Sequence, residues 1–127
     1  MRFHQDDRAI RYCDVFDAMK EGDINISVIY PGAMAAWHRH KNQDDYMFVI
    51  RGALKIGLCQ DPDINPSWVY LSERDDRVLH IPAGTWHGSY NFTNEPAILV
   101  YFITQKYDPD DEERALADQR LWKRKAK

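Results

Sequence analysis

Residues 32–52 read GAMAAWHRHKNQDDYMFVIRG and residues 82–91 read PAGTWHGSYN. In an extended chain, side chains two apart point the same way, so His38 and His40 project from one face of a strand. The polar stretch Lys41–Asp44 (KNQD) is turn-like, and Asp45 (or Asp44) follows it at the start of the next strand, where a carboxylate can swing back towards the imidazoles. His87 brings a third imidazole from a different strand. Two histidines on one strand, one from another and a carboxylate suit a divalent metal or acid–base chemistry. The candidate metal ligands are His38, His40, Asp45 and His87, for Fe, Mn, Ni or Zn. His4 and His80 lie outside this spacing and are left out of the site.

Outward from these stretches the pattern is short apolar segments punctuated by turn residues. Strands are expected over 24–30 (INISVIY), 33–40, 46–51, 53–59, 68–71, 77–81, 85–90 and 97–104. Pro31-Gly32, Gly52 and the loop 60–66 (QDPDINP) supply turns. Leu54, Ile56 and Leu58 alternate with Lys55, Gly57 and Cys59, the period of a strand with one buried face. AILVYFIT, 97–104, is apolar on both faces, as for a strand between two layers. Acidic residues 110–113 precede Ala115, Leu116, Ala117, Leu121 and Trp122, which predicts one helix over about 110–123. The expected fold is all-β: a jelly-roll-like antiparallel barrel of about eight strands, over about 22–107, with a short C-terminal helix. The 127 residues fit a single domain, 1–127.

The net charge of −3 gives no global field that favours nucleic acid or an anionic membrane, so neither is expected as a partner. Lys123, Arg124, Lys125 and Lys127 read as a solvated basic end. Cys13 and Cys59 lie far apart and form no CxxC pair, as for reduced thiols in a cytoplasmic protein. The first residues contain no apolar h-region of a signal peptide, and no apolar run is long enough to span a bilayer.

Gly32-x5-His38-x-His40-x4-Asp45-x6-Gly52 and Pro82-x-Gly84-x2-His87-x3-Asn91 resemble the paired motifs of the cupin superfamily. Asp45 stands where that pattern usually has Glu, and Asp76 stands where the second motif usually opens with Gly. A narrower resemblance covers roughly Trp37 to Glu113. Ile81–Gly88, Leu71-Ser72 and Tyr101-x5-Tyr107-Asp-Pro-Asp-Asp-Glu resemble the dTDP-4-keto-6-deoxyhexose 3,5-epimerases. His38-Arg39-His40-Lys41 with Trp86-His87 is similar to the 3,4-ketoisomerases of related sugars. Both groups are cupins that isomerise nucleotide-linked keto-sugars without a required metal.

The resemblance implies an isomerase or epimerase acting by proton transfer next to the ketone of a nucleotide-linked 4-keto sugar. His38, His40, His87 and Tyr101 are then the candidate catalytic residues, His38 in the base position and Tyr101 in the acid position. Arg39, Lys41, Arg51 and Trp86 are the candidate substrate contacts, the cations facing a diphosphate. No cofactor is implied on that reading, and a homodimer is. Two alternatives stay open: a metal-dependent cupin enzyme with the His38, His40, Asp45, His87 site, and a non-catalytic small-molecule-binding barrel.

Overall fold

The computed structural model describes residues 1–125. The strands are β1 (Arg2–Gln5), β2 (Ala9–Cys13), β3 (Asp23–Ile29), β4 (Met34–His40), β5 (Asp45–Arg51), β6 (Ala53–Cys59), β7 (Ser67–Ser72), β8 (Leu79–Ile81), β9 (Trp86–Tyr90), β10 (Ala97–Ile103) and β11 (Glu112–Arg114). One short helix, α1 (Gln119–Trp122), follows. They form two antiparallel sheets, ordered β1-β2-β3-β10-β5-β8 and β11-β4-β9-β6-β7. Strand hydrogen bonds satisfy the backbone while alternate side chains point between the sheets. Met47, Val49, Leu54, Ile56, Leu71, Ile81 and Leu99 form the apolar centre there.

All eight expected strands are present, and three more join them: β1, β2 and β11. β1 lies wholly exposed at a sheet edge, so no buried alternation marks it in the sequence. Gly52 makes the β5–β6 turn at φ +78°, where an added Cβ would stand 2.8 Å from the Pro96 carbonyl oxygen.

The helix expected over 110–123 is corrected: only Gln119–Trp122 is α-helical. Pro109–Asp111 is a single 3₁₀ turn capped by Asp108. The Asp111 carboxylate turns inward and accepts the backbone N–H groups of Lys41 (3.1 Å), Asn42 (3.0 Å) and Gln43 (3.2 Å). Glu112–Arg114 then pairs with β4 instead of coiling. Beyond it, Ala115, Ala117 and the fully buried Trp122 cover the outer face of the five-stranded sheet, against Trp37, Trp68 and Trp86. β6 is therefore buried on both faces and not on one. Gly57 is the clearance for this layer, since an added Cβ would meet the Trp122 ring at 2.7 Å. The basic end is exposed at Lys123, Arg124 and Lys125, while Lys127 lies outside the described residues. Both cysteines are free thiols. Among the described residues no helix is long and apolar enough to cross a membrane.

Candidate functional site

β4 and β9 run side by side with His38 directly opposite His87. The His38 and His87 rings lie 5.3 Å apart between centroids, and those of His40 and His87 lie 5.4 Å apart. All three line one cavity of about 650 Å³ between the sheets, together with Gln43, Asp45 and Tyr101. His40, His87 and Asp45 are buried.

The His87 ring is oriented by its two ends. Its Nδ1 lies 3.1 Å from the Thr85 carbonyl oxygen, which can only accept, so Nδ1 donates to it. Nε2 is left facing the cavity, 3.5 Å from Asp45 Oδ2. The other carboxylate oxygen, Oδ1, accepts the Gln43 amide at 2.7 Å. Burial works to raise the Asp45 pKa, but the His87 and Gln43 hydrogen bonds outweigh it and the net direction is down. Burial lowers the His40 pKa, with Asp45 offsetting part of the effect. His38 is pushed down to about 3, chiefly by burial and further by His87 and His40. Tyr101 reaches the cavity from β10, on the sheet opposite β4 and β9. Burial pushes its phenol up to about 12, with Ser27 acting the other way.

The candidate metal ligands divide. Ligand atoms of His40, Asp45 and His87 all lie within 4.8 Å of one another, and His38 stands outside that group. The donor chemistry, two imidazoles and one carboxylate, fits a divalent ion. Among the described residues His40 Nδ1 is buried without a hydrogen-bond partner, so that ring lacks the second anchor that fixes His87. Asp45, not Asp44, is the carboxylate at the site. Asp44 faces outward, bonding the His80 ring at 2.8 Å and the Ala83 N–H at 2.8 Å. These two bonds, His80 first, hold its carboxyl below the usual range.

The four expected substrate contacts do not line this cavity. Arg39 alternates with His38 and His40 and so points outward, where it pairs with Glu113 at 2.8 Å and lies 4.7 Å above the Trp86 ring. Trp86, next to His87, is turned into the aromatic layer for the same reason. Lys41 is exposed beyond the strand, and Arg51 at the end of β5 faces Glu73 at 3.6 Å. The cations that do line the cavity are Arg2, Arg8, Arg11 and Arg114, with Asp6 and Glu112 among them. They sit on β1, on β2, on the turn between these strands and on β11. The sequence reading missed those elements, so it missed the cations too. Gln43 was detectable only as the polar residue two before Asp45.

The family model for the cupin domain matches residues 25–103, more than half of the chain. The chain is a cupin. It is 32% identical over 91 residues to the Haloferax volcanii protein named "Probable low-salt glycan biosynthesis epimerase Agl13", covering 67% of this chain and 58% of that one. It is 32% identical over 104 residues to the spore coat polysaccharide biosynthesis protein SpsL of Bacillus subtilis, covering 73% of this chain and 66% of that one. This cupin thus spans about three-fifths to two-thirds of the curated relatives it matches. Among solved structures, the capsular polysaccharide assembling protein CapF of Staphylococcus aureus superposes with TM-score 0.78 at 20% identity. That match covers 89% of this chain and 31% of CapF. The oxalate decarboxylase of Bacillus subtilis gives 0.72 at 14%, over 90% of this chain and 30% of that one. At these identities the structural matches speak for the fold alone.

Proposed function

We propose that this cupin is an isomerase or epimerase of a nucleotide-linked 4-keto sugar, moving a proton on carbon next to the ketone. The carrying observation is the cavity itself: three imidazoles on one sheet face a partly buried tyrosine on the other, beneath a mouth that holds four arginines and two carboxylates. His38, kept neutral by its low pKa, takes the proton from carbon. The C–H electron pair then moves into the enolate, whose charge rests on the former ketone oxygen. Tyr101, kept protonated by its raised pKa, returns a proton from the facing side. An acid and a base on opposite walls is what inversion at carbon requires. The glycan and polysaccharide names of the relatives support a sugar substrate. The mouth arginines support an anionic group on it, with the reacting sugar pointing inward.

The compact grouping of His40, Asp45 and His87 favours one second reading, in which these residues hold a divalent ion. When bound, such an ion supplies Lewis-acid polarisation of a substrate oxygen. In that reading His38 remains free for proton transfer.

The test is solvent exchange. Wild type is incubated with dTDP-4-keto-6-deoxyglucose in D₂O, and the sugar proton signals are followed by NMR. Exchange next to the ketone is expected, with His38→Ala lowering its rate about 10²–10⁴-fold at intact fold. Full exchange in metal-free protein with chelator present selects the first reading over the second. No exchange above a protein-free control, across several nucleotide keto-sugars, overturns both.

A further inference from the structure

A buried carboxylate needs a cation or a full set of hydrogen-bond donors. Asp111 is 3% exposed, and the donors that hold it are all neutral. Its Oδ1 accepts the backbone N–H groups of Lys41 and Asn42. Its Oδ2 accepts the backbone N–H of Gln43 at 3.2 Å and the Gln105 side-chain amide at 3.0 Å. Three successive N–H groups that converge on one anion form a nest. This nest is the turn between β4 and β5, and the strand residues that flank it are His40 and Asp45. Gln43, itself 4% exposed, is both a donor to Asp111 and the side chain that bonds Asp45 Oδ1 at 2.7 Å. Asp45 Oδ2 then faces His87 Nε2 at 3.5 Å. One polar chain therefore runs from Asp111 through Gln43 and Asp45 to His87. Past Asp111, β11 sets Glu112 opposite His40 and Arg114 opposite His38.

We propose that Asp111 is a positioning residue of the cavity, its carboxylate fixing the backbone from which Gln43 aims Asp45 at His87. Holding a glutamine side chain in one geometry costs about 1.5–2 kcal/mol of rotamer freedom. So mobile a side chain aims accurately only from a fixed backbone, and the nest fixes it here. Closing a turn does not require a buried anion: residues 60–66 connect β6 to β7 as a mostly exposed polar loop. The buried anion is explained by what its turn carries, the bond from Gln43 to Asp45. That order matters to the proton transfer proposed above, because a reacting group misplaced by about 1 Å loses about 10²-fold in rate. With the Asp111 side chain removed, the three N–H groups still converge on a space that a small free carboxylate can fill. The rate consequence rests on the proton-transfer reading, whereas the aim of Gln43 is observable without any substrate.

The test follows the Gln43 side-chain amide by ¹⁵N NMR in wild type and in Asp111→Gly, with circular dichroism to check folding. In wild type its bonded proton is expected downfield of exposed glutamines and slow to exchange, as a charge-assisted bond requires. In Asp111→Gly the signal is expected to move to the position of a free amide. Sodium formate at about 50 mM is expected to return it, and sodium chloride at equal strength is not. In the D₂O exchange assay, Asp111→Gly is expected to lower kcat about 10–100-fold with KM changed less than about threefold, and formate to restore at least about fivefold. Asp110→Gly, the same change at the exposed neighbour, is expected to leave signal and rate unchanged. Should Asp111→Gly fail to fold, the near-isosteric Asp111→Asn decides the matter. Its amide cannot accept every N–H group that the carboxylate does, so the Gln43 signal is expected to move, without rescue by formate. A Gln43 signal unmoved in a folded Asp111 variant, one indifferent to formate in Asp111→Gly, or an unchanged kcat once the signal has moved overturns the proposal. A signal that moves and returns as expected, in a protein whose wild type exchanges no sugar proton, supports the aim of Gln43 and overturns the catalytic reading instead.

Discussion

At the scale of the residue, adjacent side chains on the site strands have opposite fates. His38 and His40 enter the cavity while Arg39 between them stacks outside on Trp86; His87 enters while Trp86 does not; Asp45 enters while Asp44 binds His80. The spacing of the histidines made the shared face of His38 and His40 legible, because His-x-His fixes it whatever the register. The same alternation excludes Arg39 from the face it flanks, a consequence visible in the sequence before any coordinates. Arg114 could not be recognised that way, since β11 was expected as helix; it enters the site by pairing opposite His38. Arg114→Ala is therefore expected to raise KM for the proposed nucleotide-sugar substrate by about tenfold, the worth of one charge-assisted bond discounted for an open mouth. Arg39→Ala is expected to change KM by less than about twofold, since it removes only an outer contact. Initial-rate kinetics on the two variants settles the assignment, and equal effects would return Arg39 to the site.

At the scale of the element, the C-terminal segment shows how tertiary contacts override a helical pattern. Acidic residues before Ala115 and Trp122 look like a helix start, but Asp111 gains more by collecting the N–H groups of Lys41, Asn42 and Gln43. That fastening reaches the site, because the same Gln43 holds Asp45. Further along, the fastening is Lys55. The residue is 3% exposed, and its ammonium donates to the Trp122 carbonyl at 2.7 Å and the Arg124 carbonyl at 3.1 Å and lies 4.2 Å from the Trp68 ring centroid. Burial lowers its pKa. In the sequence Lys55 sits on the polar side of an alternating strand, so nothing there announces that this side is covered. Lys55→Met leaves the carbonyl end of α1 without its donor and is expected to cost about 1.5–3 kcal/mol. Urea unfolding measures the loss. Limited proteolysis should cut the variant first near residues 115–122, and uniform protection of that segment would contradict the role given to Lys55.

At the scale of the whole molecule, the barrel core was legible because alternation and turn residues bound each of the eight expected strands. Two of the edges were not: β1 is fully exposed, and β11 takes its structure from β4. What the two sheets enclose is only partly core. Beside the apolar cluster lies a polar cavity holding His38, His40, Asp45 and His87, where an ordinary barrel would place branched aliphatics. A buried polar group stabilises a fold only when its hydrogen-bonding atoms are matched, and His40 Nδ1 has no partner among the described residues. Burial also lowers the His40 pKa, so the ring is held neutral and provides Asp45 with little charge. Asp45 keeps its bond to Gln43 and its approach to His87 without it. His40→Leu, close in volume, should thus remove an unmatched atom and stabilise the metal-free protein by about 1 kcal/mol, or roughly 3–6 °C in Tm. Activity should be lost at the same time, the pattern of a group retained for chemistry at the expense of stability. Thermal unfolding in chelator checks the sign. A fall in Tm would mean that His40 holds the barrel together, and that the polar cavity is part of the scaffold.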